Sequence, residues 1–289
     1  MVLVDAGQRR NRWVDQTHGY LGMDPVDPLD LIQHGTDALL RYPMAEIMAG
    51  SVRAAHQDGE GPFTLELEDG PPLVARRVVL ATGVEDQFPE VDGFFDHYGA
   101  SVFHCPTCDG YEARNCNVVV FGWSASAAGF ALSLLDWAAD VTLITDGSRF
   151  EGDDACRAAL DRHGVAVMEA DAVALEGRRG DLRGVRLASG TTVDCQLAFF
   201  SISHRPRTHV AEMLGCALTP EGCIVVDEHG ETTVPGVYAA GDVTPGLKLV
   251  QVAAAKGAVA GVACALSLRG EPAGPDAPSP GPDAEAEVS

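Results

Sequence analysis

The sequence predicts an α/β fold built on parallel sheets, and three observations carry that expectation. The apolar run Val118-Val119-Val120-Phe121 breaks at Gly122 and leads into a helix-forming stretch. A second run, Val237-Tyr238-Ala239-Ala240, ends at Gly241-Asp242 ahead of a long helical segment. Both read as buried strands turning into helices. The third observation is compositional: 46% apolar residues in a chain of 289, with 32 glycines and 17 prolines, suits many tight turns around one large core or two modest ones.

Taken in order, Val2-Leu3-Val4 reads as a short buried strand ending at Asp5. Pro28 opens a helix, since its fixed φ and missing N–H suit the first helical position. Leu29, Ile32, Leu39 and Leu40 fall on one face of it. Residues 63–68 alternate with period two and turn at Asp69-Gly70, a hairpin signal whose return strand continues through Val78-Val79-Leu80 into Ala81-Thr82-Gly83. The next unit comprises a strand at 118–121, a helix over 124–137 and a strand at 141–145. A helix near 153–163, a strand near 165–169 and further strands up to residue 202 follow. The last helix runs to about Leu268. The tail 271–289 carries five prolines, five acidic residues and no Lys or Arg, so it cannot bury enough apolar surface to order itself.

Charge and cysteine usage narrow the function classes. A formal net charge of −22 argues against nucleic acid or an anionic membrane as partner, because binding phosphates needs clustered Lys and Arg. The apolar stretches 118–139 and 249–268 are interrupted by Gly122 and Asp136, and by Gln251 and Lys256, and read as core segments rather than bilayer spans. No basic-then-apolar leader is visible, so cytoplasm is the expected compartment, where disulfide scaffolds are rare. Cys105 and Cys108 form a C-x-x-C; the other six cysteines are scattered singly and read as small core residues, without the second ligand pair that zinc needs.

The C-x-x-C reads either as a redox pair or as a buried thiol pair. His104 and Asp109 flank it, and an ionisable neighbour tunes a thiolate or protonates a leaving sulfur. His104 has a plainer reading as a polar residue at a strand end. Gly122-Trp123-Ser124-Ala125-Ser126-Ala127 is a degraded G-x-G-x-x-G/A turn with Ser124 in place of the second glycine. It reads as a dinucleotide site or as an ordinary tight turn. Asp146, 24 residues on, favours the former, as an acid there accepts ribose hydroxyls.

The order of C-P-T-C-D-G, a strand into a glycine turn and V-Y-A-A-G-D-V, with A-T-G at 81–83, resembles the low-molecular-weight thioredoxin reductase family of FAD-dependent pyridine nucleotide-disulfide oxidoreductases, from about Val2 to Gly270. The resemblance implies two Rossmann-like three-layer domains. An FAD domain (1–103 and 207–270) would be split by an inserted NAD(P)-type domain (104–206) carrying the dithiol. It implies Cys108 as the thiol nearer the flavin, Cys105 as the interchange thiol and Asp109 as their acid–base group. Asp5, Gly241, Asp242, Gln251 and Val252 would serve FAD, and Gly122, Ser124 and Asp146 the nicotinamide nucleotide. Ala81-Thr82-Gly83 and Ser203-His204-Arg205-Pro206 would lie at the domain crossings. A homodimer acting on a thioredoxin-like protein or a small dithiol or disulfide is expected with it.

Three departures qualify these expectations. The family opens with a strand, a G-x-G-x-x-[GA] turn and a helix for the FAD pyrophosphate, whereas Val2-Leu3-Val4-Asp5 already resembles its second strand, so that unit is expected to be missing. Asp146 replaces the basic residues that meet a 2′-phosphate; at ~5 Å and an effective dielectric of ~20 the repulsion is about 3 kcal/mol per charge pair before screening, so NADPH is disfavoured against NADH or no nicotinamide. His18-Gly19-Tyr20-Leu21-Gly22 and the degraded turn resemble a branch that oxidises dithiols of sulfur-containing metabolites with oxygen, in which His104 would act as base; His18 carries a weaker case. The expected function is an FAD-dependent disulfide/dithiol oxidoreductase. The alternatives are an oxygen-dependent dithiol oxidase and a flavin-poor regulator or scaffold that has lost catalysis.

Overall fold

The computed structural model describes residues 1–201 and 203–270; the expectation for the acidic tail lies outside the described residues. The chain forms two compact units, Met1–Arg10 with Ala38–Glu85 and the part beginning at Arg205, and Asn11–Asp37 with Asp86–His204. The strands Val84–Gln87 and Ser203–Pro206, which span two of the crossings, pair as a two-stranded sheet.

The second unit is layered around a five-stranded sheet of the strands Ala166–Met168, Asp140–Ile144, Asn117–Phe121, Leu197–Phe200 and Val102–Phe103, in that order and all parallel. Side chains of the central strand alternate between its faces. Val118 and Val120 join Ala127, Ala128, Ala131 and Leu134 of the helix Ala125–Leu134. Val119 and Phe121 join Leu175, Val185 and Leu187 of an antiparallel three-stranded sheet. Burial on both faces is why this strand has no polar position between Val118 and Phe121.

The first unit repeats the scheme. Val78–Leu80 and Val237–Ala239 pair in parallel. Val237 and Ala239 enter one core with Phe63 and Leu80, while Tyr238 and Ala240 pack on Ala260 and Ala263 of the helix Val250–Ser267. That helix is the one among the described residues long and apolar enough to cross a membrane, with Lys256 at mid-length.

Most expected elements lie within one to three residues of their predicted bounds, with three differences. Val2–Asp5 is a strand, but Val2 and Leu3 are each 43% exposed, because it pairs with Glu46–Ala49 alone in a two-stranded parallel sheet. The hairpin return is two strands: Leu73–Ala75 pairs back on Phe63–Leu67, whereas Val78–Leu80 leaves for the parallel sheet. Among the six other cysteines, Cys195, Cys216 and Cys223 are buried but Cys116, Cys156 and Cys264 are only partly covered.

Candidate active site

The strand Val102–Phe103 ends at the sheet edge, in register with Ala198 and Phe199, and delivers His104 and Cys105 to the start of a short helix, Pro106–Asp109. Pro106 occupies the first helical position, where its missing N–H costs nothing. Cys105 is the N-cap, and the turn brings Cys108 back over it. The two are joined in a disulfide with Cα atoms 5.2 Å apart. The Cys108 N–H donates to Cys105 Sγ at 3.1 Å, a contact that favours negative charge on that sulfur once the bond opens.

Asp109 follows directly and is buried, at 7% exposure. Burial pushes its carboxyl up to about 7; Glu112 adds to the rise and the charge of His18 opposes it. A carboxyl poised there holds a proton at neutral pH and releases it at little cost, as a proton donor to a leaving thiolate must. The isolated thiols differ: burial pushes Cys195 up to about 12, which keeps it inert.

His104 is tied to Tyr98, whose hydroxyl lies 2.7 Å from Nδ1. Tyr98 is itself fixed, stacked on Phe94 at 4.9 Å between centroids and set edge-on to Phe88. The bond orients the imidazole beside the disulfide-bearing turn. Tyr98→Phe keeps the ring packing and deletes this bond. We expect it to lower stability by about 1 kcal/mol, read as a lower urea midpoint with an unchanged m-value.

In the same unit, the Gly122 turn leads from the strand into the helix, and its Ser124 hydroxyl and Trp123 carbonyl have partners within the protein. A Cβ on Gly122 would stand 2.6 Å from Ala127 Cβ, which explains the glycine by strand–helix packing alone. Ser124 caps the helix, its Oγ accepting from Ala127 N at 3.4 Å and lying 2.7 Å from Ser126 Oγ. The Glu151 N–H donates to Trp123 O at 2.7 Å, fastening the loop after the second strand to the turn. Asp146 sits at φ 50°, and its Oδ1 accepts from Ala172 N at 3.2 Å.

The expected flavin residues belong to the first unit. Asp5 uses Oδ1 to accept from Gly7 N at 2.8 Å. Thr82 Oγ1 donates to Arg207 O at 2.6 Å, and Gly83 O accepts from Arg207 N at 2.9 Å, so the segment holding Ala81 is pinned to the returning chain. Gly241 takes φ 79° where the strand turns out, and the Asp242 carboxylate lies 3.5 Å from Arg10. A cavity of about 480 Å³ is lined by Gln251, Val252, Ala255 and Thr244, among others. Sequence reasoning misses Lys248 and Lys256, the chain's only lysines, although their scarcity is visible. Lys248 Nζ donates to Asp242 O and Thr244 O, both at 2.6 Å, and Lys256 Nζ to Thr244 Oγ1 at 2.9 Å. Burial and the charge of Lys248 hold Lys256 below the usual lysine range.

Comparison with known proteins matches residues 17–257 to the pyridine nucleotide-disulphide oxidoreductase family. The thioredoxin reductase tcpT of Claviceps purpurea is 28% identical over 92% of this chain and 86% of its own length. The thioredoxin reductase sirT of Leptosphaeria maculans is also 28% identical, over 90% of this chain and 84% of its own length. Among solved structures, HlmI superposes with a TM-score of 0.87 at 35% identity, covering 93% of this chain and 85% of its own.

Proposed function

From the premise that this chain belongs to the pyridine nucleotide-disulphide oxidoreductase family, in its thioredoxin-reductase-like group, we propose that it exchanges electrons between an external thiol pair, Cys105–Cys108 and a bound FAD. The enzyme class that membership brings is flavoprotein disulfide oxidoreductase. The observation that carries the proposal is the disulfide at a helix start with a buried carboxyl, raised to about 7, next to it in the chain.

An external thiolate attacks Cys105 Sγ, the bond to Cys108 breaks, and Asp109 protonates the leaving Cys108 sulfur. A second external thiolate then attacks the mixed disulfide, releasing Cys105 as a thiolate and the external pair as a disulfide. His104, oriented by Tyr98, is the base proposed for the incoming thiol. The first unit fits a flavin: its cavity has an apolar wall from Val252, Ala255 and Val259 and a side-chain amide in Gln251, suiting a flat ring with polar edges. When bound, the flavin takes or gives the electron pair that the dithiol carries.

A second reading, favoured by the fastened Gly122 turn and by Asp146, is that NADPH is not the efficient donor. The substrate dithiol then supplies the electrons and oxygen accepts them.

Alkylation with iodoacetamide followed by mass measurement tests the redox pair. Prior treatment with dithiothreitol is expected to add two alkyl groups, mapped to Cys105 and Cys108. Full alkylation of both in untreated aerobic protein would count against the proposal.

A further inference from the structure

The cavity of about 480 Å³ in the first unit has one wall made by a single helix face. Val252, Ala255, Lys256 and Val259 stand three and four residues apart on the helix Val250–Ser267, so all four share that face. Three of them are apolar. The fourth brings the one cation among the described residues that line the cavity, in a chain with two lysines and a net charge of −22.

An ammonium has three N–H donors. Two of those on Lys256 are used: Nζ donates to Thr244 Oγ1 at 2.9 Å and to Pro245 O at 2.5 Å. Both acceptors belong to the loop after Gly241, and both residues line the cavity. The third donor has no protein acceptor among the described residues. The two carboxylates of the lining do not supply one. Asp227 accepts on Oδ1 from the His229 and Glu231 N–H groups of its own turn, at 2.9 and 2.8 Å. The Glu228 side chain is 84% exposed beside His229. Lys248 differs: its Nζ serves Asp242 O and Thr244 O and approaches Cys223 Sγ at 3.8 Å, and it is not part of the lining. Burial and the charge of Lys248 disfavour the Lys256 cation, while Asp242 and Cys223 favour it. A negatively charged acceptor on the open donor relieves that cost.

We propose that Lys256 tunes the flavin held in this cavity: its third N–H takes an acceptor edge of the ring and holds that edge more strongly once the ring carries negative charge. The inference rests on the reading of this cavity as the flavin site. On closing to its disulfide, the Cys105–Cys108 dithiol gives up two electrons and two protons. The flavin takes both electrons and one proton, the second proton goes to solvent, and the ring is left with one negative charge. A cation at its acceptor edge favours that form over the neutral oxidised one, so the bound flavin is easier to reduce. That direction suits an enzyme drawing electrons from a thiol pair.

The test measures the midpoint potential of the flavin-loaded full chain by equilibration with a reference dye. The affinity for oxidised FAD is read from the fluorescence of flavin released on dilution. Lys256→Met, which keeps length and loses charge, should weaken binding of the reduced flavin relative to the oxidised one about tenfold, a fall of about 30 mV for a two-electron couple. Its affinity for oxidised FAD should change by less than that factor. Lys256→Arg, which keeps the cation, should stay near the wild-type potential. Lys248→Met loosens the same loop from outside the cavity; a loosened loop releases both forms alike, so its potential should also stay near wild type. A wild-type potential in Lys256→Met, or an equal fall in Lys248→Met, would overturn the role of Lys256 and leave the flavin site standing. Ala255→Trp fills the cavity from an exposed position and should abolish FAD binding. FAD retained there with wild-type affinity would overturn the flavin reading of the cavity and the inference with it.

Discussion

Replacing Cys105 with serine is expected to lower dithiol–disulfide turnover by on the order of 10³-fold or more, while flavin content and thermal stability stay close to wild type. The serine hydroxyl can form neither the mixed disulfide nor the bond to Cys108, so the electron relay ends there. Little else should change. Both cysteines are partly exposed at a sheet edge, and the helix they begin is held by backbone bonds from Cys108 N and Asp109 N to Cys105 O at 3.1 and 2.9 Å. Steady-state oxidation of a small dithiol, with the visible flavin band as internal control, checks the result. Cys108→Ser should be equally inactive but, offered the disulfide form of the small dithiol, should accumulate a trapped mixed disulfide as the Cys105 thiolate attacks it and one external thiol leaves, visible as added mass.

Asp109→Asn is the second large effect, and it acts on rate and stability in opposite directions. Losing the proton donor should cost about 10²- to 10³-fold in turnover near neutral pH. Stability responds in the other sense. The Asp109 carboxyl is raised from 3.8 to about 7 in the folded chain, so the native state binds a proton more tightly than the unfolded state. Its contribution is fully present below about pH 4 and is lost as pH climbs to 7, amounting to about 4 kcal/mol at most. Asparagine removes that titration. The variant should therefore match wild type near pH 4 and exceed it in melting temperature at pH 8. Parallel melting curves at both pH values would contradict the burial argument.

Much of the fold can be read along the chain because the central strand of the second unit is buried on both faces and the last helix has one long apolar register. Val118 to Phe121 and Val250–Ser267 announce themselves locally. What local reading misses depends on partners far away in sequence. Val78–Leu80 looks like the continuation of a hairpin, yet its partner is Val237–Ala239. Val2–Asp5 has the composition of a core strand, but with one hydrogen-bonded neighbour its apolar side chains stay open.

The candidate site divides in the same way. The dithiol and Asp109 are adjacent residues, and their spacing is their signal. The hold of Tyr98 on His104 spans six residues, but no motif marks it, because it depends on an aromatic cluster fixing the phenol. Asp146 illustrates the converse. Its position suggests a ribose contact, and the fold shows one of its oxygens bonded to the backbone of Ala172.

The proposed function routes electrons through Cys105–Cys108, and its second reading makes a thiol pair rather than NADPH the efficient donor. Anaerobic stopped-flow reduction of the flavin-loaded protein by a small dithiol, NADH and NADPH, monitored as loss of the visible flavin band, tests it most directly. Rapid bleaching by the dithiol, abolished in Cys105→Ser, and slow bleaching by NADPH are expected. Rapid bleaching by NADPH with none by the dithiol, or dithiol bleaching that persists in Cys105→Ser, would contradict it.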